Sequence, residues 1–192
     1  MMKKLLIPKG SFGYLENRKK VTALRTLLFF LISGSFYAAG ILLTKTNKNL
    51  LTIVAILLCL PACKSTVNMI LFLRAKGCSG ALHKKVSAFG DDTMTVFYDL
   101  YFTSYQKNYP ISHMVLKGSM LCGITENPSC SCSEAEKHLS QMFLQEGIKN
   151  VTVNIFSQED KYIDRLGRLS DMQVEEHKER DGIINLLHTI SI

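Results

Sequence analysis

Two apolar stretches decide the fold of this chain: TLLFFLISGSFYAAGILLT at Thr26–Thr44 and LLTIVAILLCLPACKSTVNMILFL at Leu50–Leu73. The first has 19 residues and no charge, close to the roughly 20 helical residues that cross a bilayer core. The second has 24 residues and contains Pro61 and Lys64, so a buried core helix is its alternative interpretation. We favour a second span, because the first helix needs a return partner across a turn of only five residues. The sequence therefore predicts a transmembrane hairpin of helices 26–44 and 50–73, joined by a short outer turn at 45–49.

Basic residues are concentrated beside these two stretches. Residues 1–76 carry a net charge of +11 and residues 77–192 a net charge of −4, which together give the +7 of the whole chain. Positive flanks stay on the cytoplasmic side and attract anionic lipid headgroups. We therefore predict a multi-pass protein of the cell membrane with both termini in the cytoplasm and a basic N-terminal segment at 1–25. The basic residues at the membrane surface are Lys3, Lys4, Lys9, Arg18, Lys19, Lys20, Arg25, Arg74 and Lys76.

Two other interpretations of these residues are disfavoured. No nucleic-acid partner is expected, because a binding face would place its basic cluster on the folded domain, and residues 77–192 are acidic. A cleaved signal peptide would need a shorter leader than the roughly 25 residues ahead of the first stretch, and a shorter apolar run.

Small residues form stripes within both apolar stretches. In a membrane, helices associate through close packing at small residues. We predict that the stripes face each other in the hairpin and that part of each contacts a second copy or another membrane protein. The predicted packing residues are Gly34, Ser35, Ala38 and Ala39 on the first helix, with Ala55, Cys59 and Ala62 on the second.

Residues 77–192 are predicted to form a cytosolic α+β domain that begins with strands. Thr93–Gln106 is rich in β-branched and aromatic residues and indicates a strand with Val96, Tyr98, Leu100 and Phe102 on one face. The stretch Ile111–Thr125 contains Lys117-Gly118 at its middle, which predicts a hairpin turn between two further strands.

The second half of this domain changes its periodicity. Ser133 and Glu136 fit a capping box, and Gly147 fits the end of the helix that follows. Lys149–Phe156 returns to strand alternation, and the remaining chain is predicted to dock one helix against the sheet. The predicted order is βββαβα, with a small mixed sheet.

Cys130-Ser131-Cys132 carries the most specific local chemistry, because a helix N-terminus lowers the pKa of a nearby thiol. A redox pair is one hypothesis, and ordinary reduced cysteines are the alternative on the cytoplasmic side. The one-residue spacing lacks the paired geometry of zinc sites, so we predict no metal and no cofactor. His113, placed beside Cys122 across the hairpin, is interpreted as a packed strand histidine, since no orienting third group is visible.

Three classes of function remain after these exclusions. The first is a non-enzymatic, membrane-anchored module whose α+β domain binds a protein partner or a second copy of the chain. The second is a small cysteine-dependent redox or enzymatic domain that uses Cys130 and Cys132. The third is an accessory subunit of a transporter or channel, with the hairpin as its contact surface. We favour the first class.

Overall fold

The computed structural model describes residues 7–46, 48–89, 93–104, 107–172 and 179–192. The chain divides into two compact units. The two-helix unit comprises Leu15–Ala75, and the α+β unit comprises Met1–Tyr14 together with Lys76–Ile192.

The two-helix unit contains helices α1 (Tyr14–Thr44) and α2 (Leu50–Arg74). Helix α1 begins 12 residues before the predicted span, because the preceding segment is rich in Lys, Arg and Leu, which favour helix. Helix α2 begins at the N-cap Asn49, whose side chain accepts a hydrogen bond from the backbone N–H of Thr52, and it continues through Pro61. Both helices are long and apolar enough to cross a membrane.

The contacts between α1 and α2 differ from the predicted stripe. The hydroxyl of Ser33 donates to the carbonyl of Ala55 at 2.9 Å, and the hydroxyls of Thr26 and Ser65 lie 2.8 Å apart. Ala55 and Ala62 are buried, and Cys59 Sγ lies 3.3 Å from the Ser33 hydroxyl, whereas Gly34, Ser35 and Ala38 are exposed and Ala39 is half-buried. The predicted small residues of α1 therefore lie largely outside the contact with α2, and their packing against a second copy or another membrane protein stays a prediction. Small size alone does not identify the contact face, because hydroxyl side chains that bond the facing helix lie between the helices instead.

The α+β unit is built on a mixed four-stranded sheet with the strand order β1-β2-β3-β4. Strands β1 (Thr95–Thr103), β2 (Asn108–Lys117) and β3 (Met120–Ile124) are antiparallel, and β4 (Thr152–Phe156) is parallel to β3. Strands β2 and β3 are joined at Gly118-Ser119, and Gly118 has a φ of 58°, so the hairpin predicted at Lys117-Gly118 is confirmed.

Four helices accompany this sheet in the described residues. Helix α3 (Gly80–Val86) precedes a 3₁₀ turn at Ser87–Phe89, and α4 (Cys132–Gln145) connects β3 to β4. The chain ends with α5 (Glu159–Asp171) and α6 (Arg180–Ile190), where the sequence predicted one docked helix. The single-helix prediction is wrong because both segments are amphipathic and each buries its own apolar face.

The sheet has an apolar core on each face. The first core cluster includes Phe102 and Leu121, covered by Leu139 of α4 and Leu187 of α6. The second core cluster includes Val115 and Cys122, covered by Leu82 and Val86 of α3 and by Tyr162 and Leu166 of α5. The unit therefore has three layers, with helices on both sides of one sheet.

Asp99 reverses the two faces of β1. Val96 and Tyr98 pack against the second core cluster, but Leu100 and Phe102 belong to the first. The sequence placed these four residues on one face, and that prediction is wrong beyond Tyr98. The cause is the φ of 56° at Asp99, because a left-handed residue interrupts the alternation of an extended strand.

Helix α4 begins two residues earlier than the capping box predicted. Ser131 is the N-cap and its hydroxyl accepts a hydrogen bond from the N–H of Glu134 at 3.5 Å. Ser131 and Glu134 have the same spacing as Ser133 and Glu136, so the pattern alone did not select the register. Glu136 is thereby free to reach β4, where its carboxylate accepts from the N–H of Ile155 at 2.7 Å.

Candidate functional site

The two thiols of the redox hypothesis, Cys130 and Cys132, are partly buried. Cys132 is the first residue of α4, Cys130 precedes the N-cap, and both pack partly against the first core cluster as free thiols. Burial raises the pKa of Cys130 and outweighs the hydrogen bond with Thr125 that lowers it. This position therefore disfavours the thiolate form that redox chemistry at Cys130 would need.

His113 does not lie directly across the hairpin from Cys122, where the sequence placed it, but it is a packed strand histidine, as the sequence predicted. Across the hairpin, His113 lies opposite Ile124, and Cys122 lies opposite Val115. His113 Nδ1 is instead 2.7 Å from the hydroxyl oxygen of Tyr162, which approaches the carbonyl of Cys122 only at 3.5 Å. Burial lowers the pKa of His113 to about 4, with a smaller contribution from electrostatic repulsion by His83. The ring is therefore neutral at neutral pH.

A row of rings surrounds this buried histidine. Phe12 stacks on His83 with ring centroids 3.9 Å apart, and His83 contacts the edge of Tyr98 at 5.1 Å. Tyr98 in turn lies 4.7 Å from His113, whose ring contacts Tyr162 at 5.8 Å. The row links the segment before α1 to β1, β2 and α5 within the α+β unit.

A partly enclosed cavity of about 230 Å³ opens beside this row. Strands β1 and β2 supply one wall, and α3, the 3₁₀ turn and α5 supply the others. Its lining is apolar except for Ser87, Tyr98 and His113; the remaining lining residues are Val86, Phe89, Val96, Val115 and Leu166. The sequence does not reveal this cavity, because its walls come from five elements and no local pattern identifies it.

Two carboxylates hold the segment that enters the α+β unit after α2. Asp99 accepts a hydrogen bond from the N–H of Cys78 at 2.7 Å, and Glu126 accepts from the N–H of Ser79 at 2.9 Å. Burial, with these two negative charges, raises the pKa of the Cys78 thiol to about 12. A Cβ at Gly77 would lie 2.9 Å from the Asp99 carboxylate, so the close approach requires glycine here.

Both ends of the described chain lie along the outer edge of β1. The N–H of Tyr98 donates to the carbonyl of Gly10 at 2.7 Å, and the N–H of Ile192 donates to the carbonyl of Tyr101 at 3.0 Å. Lys9 Nζ donates to the carbonyls of His188 and Ser191 at 2.7 and 2.5 Å, beside the C-terminus of α6. Cations are stabilised at such a helix end.

The predicted membrane-surface basic residues have several environments. Lys9 binds α6, and Lys19 pairs with Glu16 at 2.6 Å. Lys20, Arg25, Arg74 and Lys76 are exposed and Arg18 is half-buried, while Lys3 and Lys4 lie outside the described residues. Within the part of the chain that the structure describes, no group of three or more His, Cys, Asp or Glu could hold a metal ion.

Comparison of this chain with protein-family models, with curated proteins and with solved structures finds no significant match.

Proposed function

We propose that this chain is an integral membrane protein of the cell membrane, whose α1–α2 hairpin spans the bilayer twice. Both termini would be cytoplasmic, with the exposed basic residues near anionic headgroups. The α+β unit would act there as a non-enzymatic interaction or assembly module.

The exposed apolar surface of the two-helix unit is the observation that carries this proposal. Only 17% of the most apolar 18-residue window in each helix is buried, whereas a core helix would be mostly buried. An apolar surface of this length needs lipid or protein to cover it. The exposed side chains include Leu27, Leu28, Phe30, Leu31, Ile53, Ile56, Leu57 and Leu60.

The contacts of the N-terminal segment support an even number of crossings. Lys9, Gly10 and Phe12 precede α1, yet they contact residues of the α+β unit, which follows α2. For a chain inserted in a bilayer, these contacts support placing the segment and the unit on the same side. This arrangement suits two spanning helices and does not suit one span followed by a core helix.

Three polar side chains of the α+β unit make hydrogen bonds that hold the fold together, which supports a structural role for them and a non-enzymatic role for the unit. His113 binds Tyr162, Asp99 binds the backbone of Cys78, and Glu136 binds the backbone of β4.

Self-assembly would use the face of α1 that α2 leaves uncovered. Gly34 has no heavy atom within 4 Å of a Cβ built on it, and Ala38 is exposed one turn later. Small residues at this spacing allow close approach of a second helix in a membrane.

Single cysteines in a cysteine-free variant test the topology. We expect a membrane-impermeant maleimide to label Lys48→Cys, in the turn after α1, in intact cells. Ser157→Cys, at the exposed connection between β4 and α5, should react only after the membrane is permeabilised. Labelling of Ser157→Cys in intact cells, or protection of Lys48→Cys, would contradict the proposed arrangement.

The same background tests assembly through oxidative cross-linking in membranes. Ala38→Cys should form a disulfide-linked dimer, whereas the matched variant Phe36→Cys, exposed on another face of α1, should not. Equal cross-linking of both variants would indicate random collision and contradict assembly through this face. A cross-link of Ala38→Cys to a chain of different mass would instead favour the accessory-subunit role.

A further inference from the structure

The cavity beside His113 has the size and lining of a small-molecule site. Its volume of about 230 Å³ exceeds the roughly 150 Å³ of an apolar cavity that holds benzene. Ligand sites combine apolar walls with a few polar groups that fix orientation. Here Val96, Val115 and Leu166 supply apolar walls, and the rings of Phe89 and Tyr98 supply aromatic ones.

His113 is the buried polar group of this cavity. Its side chain is only 2% exposed, and it lines the cavity. One ring nitrogen, Nδ1, is bound to Tyr162. The other, Nε2, is not among the described polar atoms that are fully buried without a hydrogen-bond partner, so it borders the open space of the cavity and can bond water or a ligand there.

The contact with Tyr162 indicates whether Nε2 is a hydrogen-bond donor or an acceptor. The single hydroxyl proton of Tyr162 has two acceptors, His113 Nδ1 at 2.7 Å and the carbonyl of Cys122 at 3.5 Å. The contact with Nδ1 is the shorter one, and a phenol hydroxyl is a stronger donor than an imidazole N–H, so we assign the hydroxyl proton to the bond that Nδ1 accepts. In a neutral ring the proton then resides on Nε2, which becomes a donor.

We propose that this cavity binds a small, neutral aromatic molecule with one hydrogen-bond acceptor, which receives the Nε2–H of His113. The aromatic ring lies between the side chains of Phe89 and Tyr98 and the aliphatic wall. A carboxylate ligand is disfavoured, because no cationic side chain lines the described cavity to compensate its buried charge. This small-molecule site goes beyond the proposed role in assembly.

Acetophenone is a suitable probe, and ethylbenzene is its matched analogue without the acceptor. The full chain, in lipid nanodiscs and with labelled Val and Leu methyl groups, is titrated with each compound and followed by NMR. We expect saturable shifts at Val96, Val115 and Leu166 with acetophenone. Ethylbenzene should bind about fivefold more weakly, because a typical hydrogen bond contributes about 1 kcal/mol.

Two variants separate the cavity from partition into lipid. Val115→Phe should abolish the saturable shifts by filling the cavity, whereas Val151→Phe, which packs on the opposite face of the sheet, should retain them. His113→Phe should remove the preference for acetophenone over ethylbenzene. Shifts that rise linearly without saturation, or that persist in a folded Val115→Phe variant, would overturn the proposal. Equal affinities of the two compounds for the unmodified chain would overturn the role of His113.

Discussion

At the scale of single residues, Asp99 determines how the sheet connects to the rest of the α+β unit. Its left-handed backbone transfers β1 from one core cluster to the other, and its carboxylate binds the N–H of Cys78. Alanine in this conformation costs roughly 1–2 kcal/mol, and the half-buried N–H of Cys78 without its acceptor costs about 1 kcal/mol more. We expect Asp99→Ala to be strongly destabilising. Asp99→Gly should be milder than Asp99→Ala, because glycine adopts this backbone conformation without the penalty that alanine incurs. Asp99→Asn should be mildest, since asparagine tolerates this backbone conformation and its carbonyl still accepts.

The chain contains no tryptophan, so tyrosine fluorescence during urea unfolding, reported by Tyr98, Tyr101 and Tyr162 among others, measures this order. Thr103→Ala, at the exposed end of the same strand, is the control and should leave the free energy of unfolding unchanged. An Asp99→Ala variant as stable as the unmodified chain would contradict the role assigned to this residue. The sequence could not reveal Asp99, because aspartate between apolar strand residues fits an uninterrupted alternation equally well.

At the scale of elements, the N-cap of α4 differs between the structure, where it is Ser131, and the sequence pattern, which predicted Ser133. Replacing an N-cap serine with alanine costs about 1 kcal/mol, so Ser131→Ala should lower the free energy of unfolding by that amount. Ser133→Ala is the matched control, and it should have almost no effect because Ser133 is exposed within the first turn. Urea unfolding of both variants measures the difference. The opposite order would place the cap at Ser133, as the sequence predicted.

The elements were predictable where one pattern dominates, and not where two patterns overlap. The turn at Gly118 and the alternation of Val151, Val153 and Ile155, which pack at the first core cluster, follow from local spacing. The register of α4 does not, because two serines each precede a glutamate by three residues. The cavity beside His113 also could not be predicted, since only tertiary packing brings its walls together.

At the scale of the whole molecule, the segment before α1 belongs to the unit that follows α2. The carbonyl of Gly10 pairs with the edge of β1, and Lys9 binds the end of α6. These contacts protect the edge strand from pairing with another chain. They also join sequence positions on either side of the two apolar helices, which periodicity cannot reveal.

Two glycines of this segment provide a test of its docking. Gly10 and Gly13 have similar φ values, 82° and 80°, so alanine at either position incurs a similar backbone penalty. A Cβ at Gly10 would lie 3.0 Å from Cε1 of His188, whereas a Cβ at Gly13 would approach no atom closer than 3.8 Å. Gly10→Ala should therefore lower the midpoint of thermal unfolding more than Gly13→Ala does, because only the first change also displaces the segment from α6. Near-ultraviolet circular dichroism of the tyrosines, recorded on the full chain in detergent, measures both midpoints. Equal shifts would mean that the segment does not contact α6 in solution, and would remove its support for an even number of membrane crossings.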